Sequence, residues 1–199
     1  MKRPKSGDVV EIPLLLDLGY GYAKYLDPRV VWETNDMPPV LRIFLFKSLI
    51  PIDSIGDIKR DLLIAPIGIS GSNGIYKIGW RNIGNEPVAE DEKFLPHVKT
   101  GWPPIIDPPE RWAYYEDLGD PTKMHFSEFH KISHLESSRV LNIETVSFRM
   151  TMEFLKLEGR DIKTLMPELD FFSAVEYSRS FTIPPYNIIP QQYRGRAKK

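Results

Sequence analysis

The chain of 199 residues has no cysteine. That excludes disulfide staples, thiolate catalysis and every cysteine-containing zinc site, and it favours a reducing, cytoplasmic setting. Long apolar runs are also missing. The most continuous, residues 40–46, is interrupted by Arg42 and falls far short of the roughly 20 residues that a membrane-crossing helix needs. The basic start is followed by no apolar segment before Asp8, which argues against a secretory signal. Charge of one sign is not in excess either: 26 Lys and Arg face 27 Asp and Glu, for a net charge of −1. A global basic field for nucleic acid is therefore absent. No Gly-x-Ser-x-Gly elbow occurs. The glycines of 19–21 and 68–71 lack the strand-to-helix spacing of a dinucleotide or phosphate loop. No cofactor is expected.

What the chain does have is a 42% apolar content, enough for a core, and 18 prolines, which favour turns and bent connections over long helices. Residues 7–26 read as a β-hairpin. Val9 and Glu11 alternate with Val10, Ile12 and Leu14, 17–21 supply turn residues, and 22–26 resume the strand. Residues 29–34 and 40–47 read as strands, the second central because its apolar run is nearly continuous. Residues 62–69 form a strand interrupted by Pro66, and 70–74 are a strong turn signal. Residues 75–80 alternate again.

Residues 87–112 are Pro-rich and are expected to form a long ordered loop over the sheet. A strand is expected from 112 to 118, a short helix over 127–135 and a strand over 140–146. In 147–158, Phe148, Met150, Met152 and Phe154 fall on even positions, which favours a strand over a helix. Residues 162–165 before Pro167 predict one helical turn, and 184–193 an extended path. The tail 194–199 is basic and expected to fray.

Two stretches carry a family resemblance. Gly7-Asp8-Val9-Val10-Glu11-Ile12-Pro13-Leu14 is followed by Tyr20-Gly21-Tyr22-Ala23-Lys24. Further on comes Trp80-Arg81-Asn82-Ile83-Gly84-Asn85-Glu86-Pro87. In order and spacing these resemble the immunity protein 26 family of bacterial polymorphic-toxin systems, over the first half to two-thirds of the chain. The segment after Leu165 matches nothing in that pattern. The resemblance implies a protein that binds and neutralises a cognate toxin and carries out no chemistry of its own. The expected fold is mainly β, of the α+β kind: a strongly bent antiparallel sheet or SH3-like barrel with one or two short helices. Residues 1–165 would form one domain, with 166–199 an extension packed on it.

Candidate partner-binding residues are Tyr20, Tyr22, Trp112, Tyr114, Tyr115, Glu116, Asp117 and Asp120. Interfaces concentrate Trp and Tyr in their centres, and an acidic patch beside aromatics suits a basic partner such as a nuclease. Two other functions compete. His125, His130 and His134 could serve a metal-dependent hydrolase, with His130 and His134 at i, i+4 spacing. Lys131, however, stands where a metalloprotease would place its glutamate. A small barrel with exposed aromatics could also bind nucleic acid.

Overall fold

The computed structural model describes residues 3–102, 109–117 and 120–194. In chain order the strands and helices are β1 (Asp8–Pro13), β2 (Tyr20–Leu26), α1 (Pro28–Val31), β3 (Val40–Ser48), β4 (Ile67–Ser70), β5 (Arg81–Asn85), β6 (Val98–Trp102), β7 (Arg111–Tyr115), β8 (Met124–Ser127), α2 (Phe129–Ile132), β9 (Glu136–Ser137), β10 (Leu141–Asn142), α3 (Ile143–Leu157), α4 (Ile162–Leu165) and α5 (Phe171–Ser180). Among the described residues the fold is α+β, with a six-stranded sheet ordered β10-β4-β3-β2-β1-β5 and a four-stranded sheet ordered β8-β7-β6-β9. Both sheets are mixed, since β10 joins β4 and β9 joins β6 in parallel. No closed barrel is found among the described residues, so the barrel expectation is unconfirmed, and the mixed pairing departs from the purely antiparallel sheet expected. Register shifts between Val9 and Val10 and between Gly21 and Ala23 supply local bends.

Alternation in β1 and β2 distributes side chains to two cores. Val10, Ile12, Ala23 and Tyr25 join Leu41, Ile43, Ile67 and Ile69 in the larger one, which α3 closes with Ile143, Val146, Met150 and Phe154. Val9, Tyr22, Phe44 and Ile58 form a second cluster on the other face, under Ile52, Ile55 and Leu62. Gly21 lets α3 approach: a Cβ there would lie 2.3 Å from the Met150 methyl.

The strand expected over 147–158 is instead most of α3, capped by the Asn142 side chain, which accepts from the Glu144 amide. The misreading has a physical cause. Phe148, Met152 and Leu155 pack away from the sheet, against Ile162, Leu169, Tyr177 and Phe181. Apolar residues therefore line two sides of the helix and imitate a period of two. Further expectations also fail. The stretch 87–112, expected to be a loop, contains β6 and the start of β7, and 184–193, expected to be extended, contains short 3-10 turns at Tyr186–Ile188 and Gln191–Tyr193. The RVVW segment begins a helical turn because Asp27 caps it, accepting from the Arg29 amide, and Pro28 sits at the first helical position. Residues 75–80 are turns that lead into β5. Residues 140–146 provide only the two-residue β10 before the helix starts. The helices also exceed the expected one or two, and α5 arises where no element was foreseen. The expected hairpin, β3, β7 and the helical turns α2 and α4 are present. The expected basic tail beyond Arg194, and 103–108 within the expected loop, lie outside the described residues.

Arg149 on α3 is wholly buried and meets three carboxylates: Glu136 of β9 at 2.6 Å, Glu153 of α3 at 2.9 Å and Glu176 of α5 at 2.5 Å. Burial by itself would disfavour its charge, but the three glutamates hold its pKa above the ordinary arginine range. Burial raises the Glu153 pKa, against the pull of Arg149 and Lys156. Removing the cation would leave uncompensated buried carboxylates, so Arg149→Met is expected to lower stability by about 3–5 kcal/mol. Urea denaturation against the parent protein measures this.

Candidate partner-binding face

The second sheet assembles the candidate site. β7 sits between β6 and β8, with Trp112 opposite Ser127, Ala113 opposite Phe126 and Tyr114 opposite His125. Directly paired residues share a face, and neighbours along the strand alternate. Phe126 is therefore on the opposite side from Trp112 and Tyr114. Phe126 is 51% exposed, the Arg111 guanidinium lies 4.3 Å from its ring centre, and Trp102 meets it edge-on at 6.3 Å. On α2, Phe129 is also exposed and packs on Trp112 at 4.6 Å between ring centres. Glu110, Arg111, Trp112, Phe126, Phe129 and Lys131 border one open depression there. Arginine over an aromatic beside further rings is the composition of an interface centre.

Tyr114 belongs to a run of stacked rings. It stacks on His125 at 5.2 Å and on His97 at 5.7 Å; His97 meets Tyr193 at 5.4 Å, and Tyr193 meets His134 at 5.0 Å. Burial, with Glu116 and Tyr193 nearby, raises the Tyr114 pKa. Burial and the neighbouring Lys99 charge lower that of His134.

The structure sorts the residues singled out from the sequence. Trp112, Tyr114, Tyr115, Glu116, Asp117 and Asp120 lie together on β7 and the turn after it. Tyr20 and Tyr22 lie on β2 of the other sheet. Tyr22 is fully buried; its hydroxyl donates to Glu11 at 2.9 Å and lies 2.5 Å from the Ser48 hydroxyl. Burial above all pushes its pKa up to about 12. It has no surface to offer a partner, because alternation along β2 turns it into the second core. Tyr20 is half-buried against the same cluster.

The acidic residues are partly answered from within. Glu116 lies 3.4 Å from His125, and Lys123 lies 3.6 Å from Asp117 and 3.5 Å from Asp120. Asp120 accepts from the Thr122 hydroxyl and amide, which lowers its pKa. The histidines do not converge on one point. His125 and His134 sit at opposite ends of the ring run, while His130 is exposed beside Glu128 at 3.3 Å. Among the described residues no three His, Cys, Asp or Glu side chains form a group able to hold a metal ion. Arg111, Phe126 and Phe129 were not singled out from the sequence. Their signal lies in cross-strand pairing, which no single segment displays.

Lys99 of β6 is buried, donates to the Ser133 carbonyl at 2.6 Å and sits 5.8 Å from the Phe129 ring centre. Burial lowers its pKa from 10.5 to about 8; Glu136 opposes this and Arg149 reinforces it.

Comparison with known proteins yields one family. The model for immunity protein 26 matches residues 5–102, about half of the chain. No curated protein and no solved structure matches. The matched span contains both motif stretches and runs from β1 to β6. Arg111, Trp112, Phe126 and Phe129 lie beyond it.

Because the folded pKa of Lys99 is below the unfolded one, the energetic cost of its burial is fully present below about pH 8 and fades as pH rises towards 10.5. Stability is expected to gain on the order of 3 kcal/mol from this group across that window. Lys99→Met should remove this rise, as read by urea denaturation at a series of pH values.

Proposed function

From a chain whose residues 5–102 belong to the immunity protein 26 family, we propose a protein that binds and neutralises a cognate bacterial toxin without catalysis of its own. The family match is the observation that carries this reading. Support for the location comes from the second sheet. There exposed Phe126 packs with Arg111 and Trp102, and exposed Phe129, packed on Trp112 from the other side of the strand, borders the same open depression. The toxin would be covered by this face, with the first sheet acting as scaffold. The lysine and histidine contacts of Glu116, Asp117 and Asp120 weaken the idea of a free acidic surface. Aromatic burial is therefore the main source of affinity here, and charge steering is secondary. A cysteine-free chain suits action in the cytoplasm. No helix among the described residues is long and apolar enough to cross a membrane.

Co-expression with toxins encoded beside this gene tests the proposal. The expected result is rescue of growth and co-purification of one toxin. Neither rescue nor co-purification with any adjacent candidate would overturn it.

Truncation of interface centres typically costs at least about 2 kcal/mol, or roughly thirtyfold in affinity. Phe126→Ala and Arg111→Ala should each weaken the complex by that much with unchanged melting. Val30→Ser, at an exposed site on α1, should leave it intact. Calorimetric titration of the purified toxin reads both results.

A further inference from the structure

β8 is the outer strand of the second sheet, so one of its sides meets β7 and the other meets none of the described strands. The phase of the ladder fixes which backbone groups lie on that outer side. The Glu116 amide donates to the Lys123 carbonyl at 3.1 Å. Such pairs recur at every second residue of an antiparallel ladder, so His125 bonds with Tyr114 and Ser127 with Trp112, the residues opposite them. The amides and carbonyls of Met124 and Phe126 therefore point away from β7. Among the described residues no backbone bond reaches them. The other sheet edges are blunted. β9 and β10 have two residues each, and β5 is interrupted by a register shift and by Ile55 lying close over Gly84. β8 has no bulge, no proline and no lysine, and its His125 and Phe126 are exposed.

We propose that this edge pairs with the same edge of a second copy of the chain, joining two four-stranded sheets antiparallel across a two-fold axis. The edge is self-complementary, as such an interface requires. With His125 opposite its own counterpart at the axis, Met124 of each copy stands opposite Phe126 of the other. Both are then hydrogen-bonded pairs, and all four outward amides find carbonyls. Each Phe126 ring meets a Met124 thioether across the pair, a favourable contact of sulfur with an aromatic ring. That ring is 51% exposed and already held by Arg111 at 4.3 Å and Trp102 at 6.3 Å, so covering it removes apolar surface from water without reordering the side chain. Charge presents no obstacle. Antiparallel order brings the Lys123 end of one strand to the Glu128 end of the other, and each is paired within its own chain, Lys123 with Asp117 at 3.6 Å and Glu128 with Lys131 at 3.3 Å. His125 has Glu116 of its own chain at 3.4 Å, which offsets the approach of two imidazoles at the axis. A second copy is favoured over an unrelated strand because this chain itself supplies the register, the Met–Phe pair and ends of opposite sign. Four residues from each chain make a small contact, so the dimer is weak. The inference does not rest on toxin neutralisation. Phe126 belongs to both surfaces, so a second copy and a toxin would exclude each other.

The test is sedimentation equilibrium of the purified full chain, alone, together with amide hydrogen exchange at low and high concentration. The expected result is a reversible monomer–dimer equilibrium between about 5 and 500 µM, with exchange at the Met124 and Phe126 amides slowing as the dimer forms. Met124→Pro removes an outward donor at a position whose φ of −87° is close to that of proline, and it spares the β7 ladder. Phe126→Lys places a charge on the same edge. Each should weaken the dimer by about tenfold or more while melting as cooperatively as the parent. Should either variant fail to fold, the exchange data on the parent chain still decide. A single monomeric species up to about 500 µM would overturn the proposal, well above the range expected of a weak specific dimer. So would a dimer with unchanged exchange at those two amides, or folded variants with unchanged association. Protection of the two amides only when a co-purified toxin is added would assign the edge to a strand of the toxin and overturn the second copy as its occupant.

Discussion

One buried cation holds the two halves of this molecule in register. Arg149 sits on the helix that closes the main core, and its three carboxylates come from the same helix, from the edge of the second sheet and from α5. A buried guanidinium is tolerable only when its donors are matched, so these elements must meet in one arrangement for the charge to be accommodated. Lys156 extends the group by pairing with Glu153 at 2.8 Å and donating to the Ile183 carbonyl at 2.7 Å. The position of β9, and through it of β6, β7 and β8, follows from this. The candidate partner face and the strand edge beside it are therefore placed by electrostatics, while the first sheet is placed by apolar packing.

A second charged group does similar work on the first sheet. Lys24 is buried on β2 and reaches Glu92 at 2.6 Å, Glu86 at 3.3 Å and the Pro87 carbonyl at 2.8 Å. Arg60 pairs with Glu86 at 2.8 Å. These contacts tie the connection that leads from β5 to β6, so the chain leaves the family-matched sheet along a defined path. Arg81, Glu11 and Asp53 form a third set, which fastens the 52–53 segment over the second core. Each set uses a residue at an inward-facing strand position where an apolar side chain would be the ordinary choice. The consequence is a scaffold whose loops are fixed by specific partners as well as by burial.

This division bears on function. The first sheet carries the family motifs, while Arg111 and Phe126 lie on strands of the second sheet and Phe129 on α2. A recognition surface on a separate small sheet can differ in side chains without disturbing the main core. That separation suits a protein whose partner must be matched individually, since affinity is set by a few anchor residues and not by the scaffold.

Residues 7–26 disclosed their hairpin because each strand needs only local alternation and its partner follows after a short turn. The family was legible for the same reason: its motifs are contiguous. Trp112 and Tyr114 share β7 and Glu116 follows its end, so their proximity needs only near neighbours in sequence. Tyr22 was misjudged, since its burial depends on which side of β2 meets residues far along the chain. Phe126 and Arg111 went unnoticed because their contact crosses between strands 15 positions apart (126 − 111). Helix α3 hid behind an even-numbered apolar pattern, as the sheet and α5 bury it from two sides. What the chain order alone determined was the first hairpin, the motif pattern and the absence of cysteine chemistry, all of which depend on composition or near neighbours. Tertiary structure alone decided which charges pair, which aromatics face water and which strand forms the outer edge, because those outcomes are fixed by burial and Coulomb contacts between residues distant in sequence.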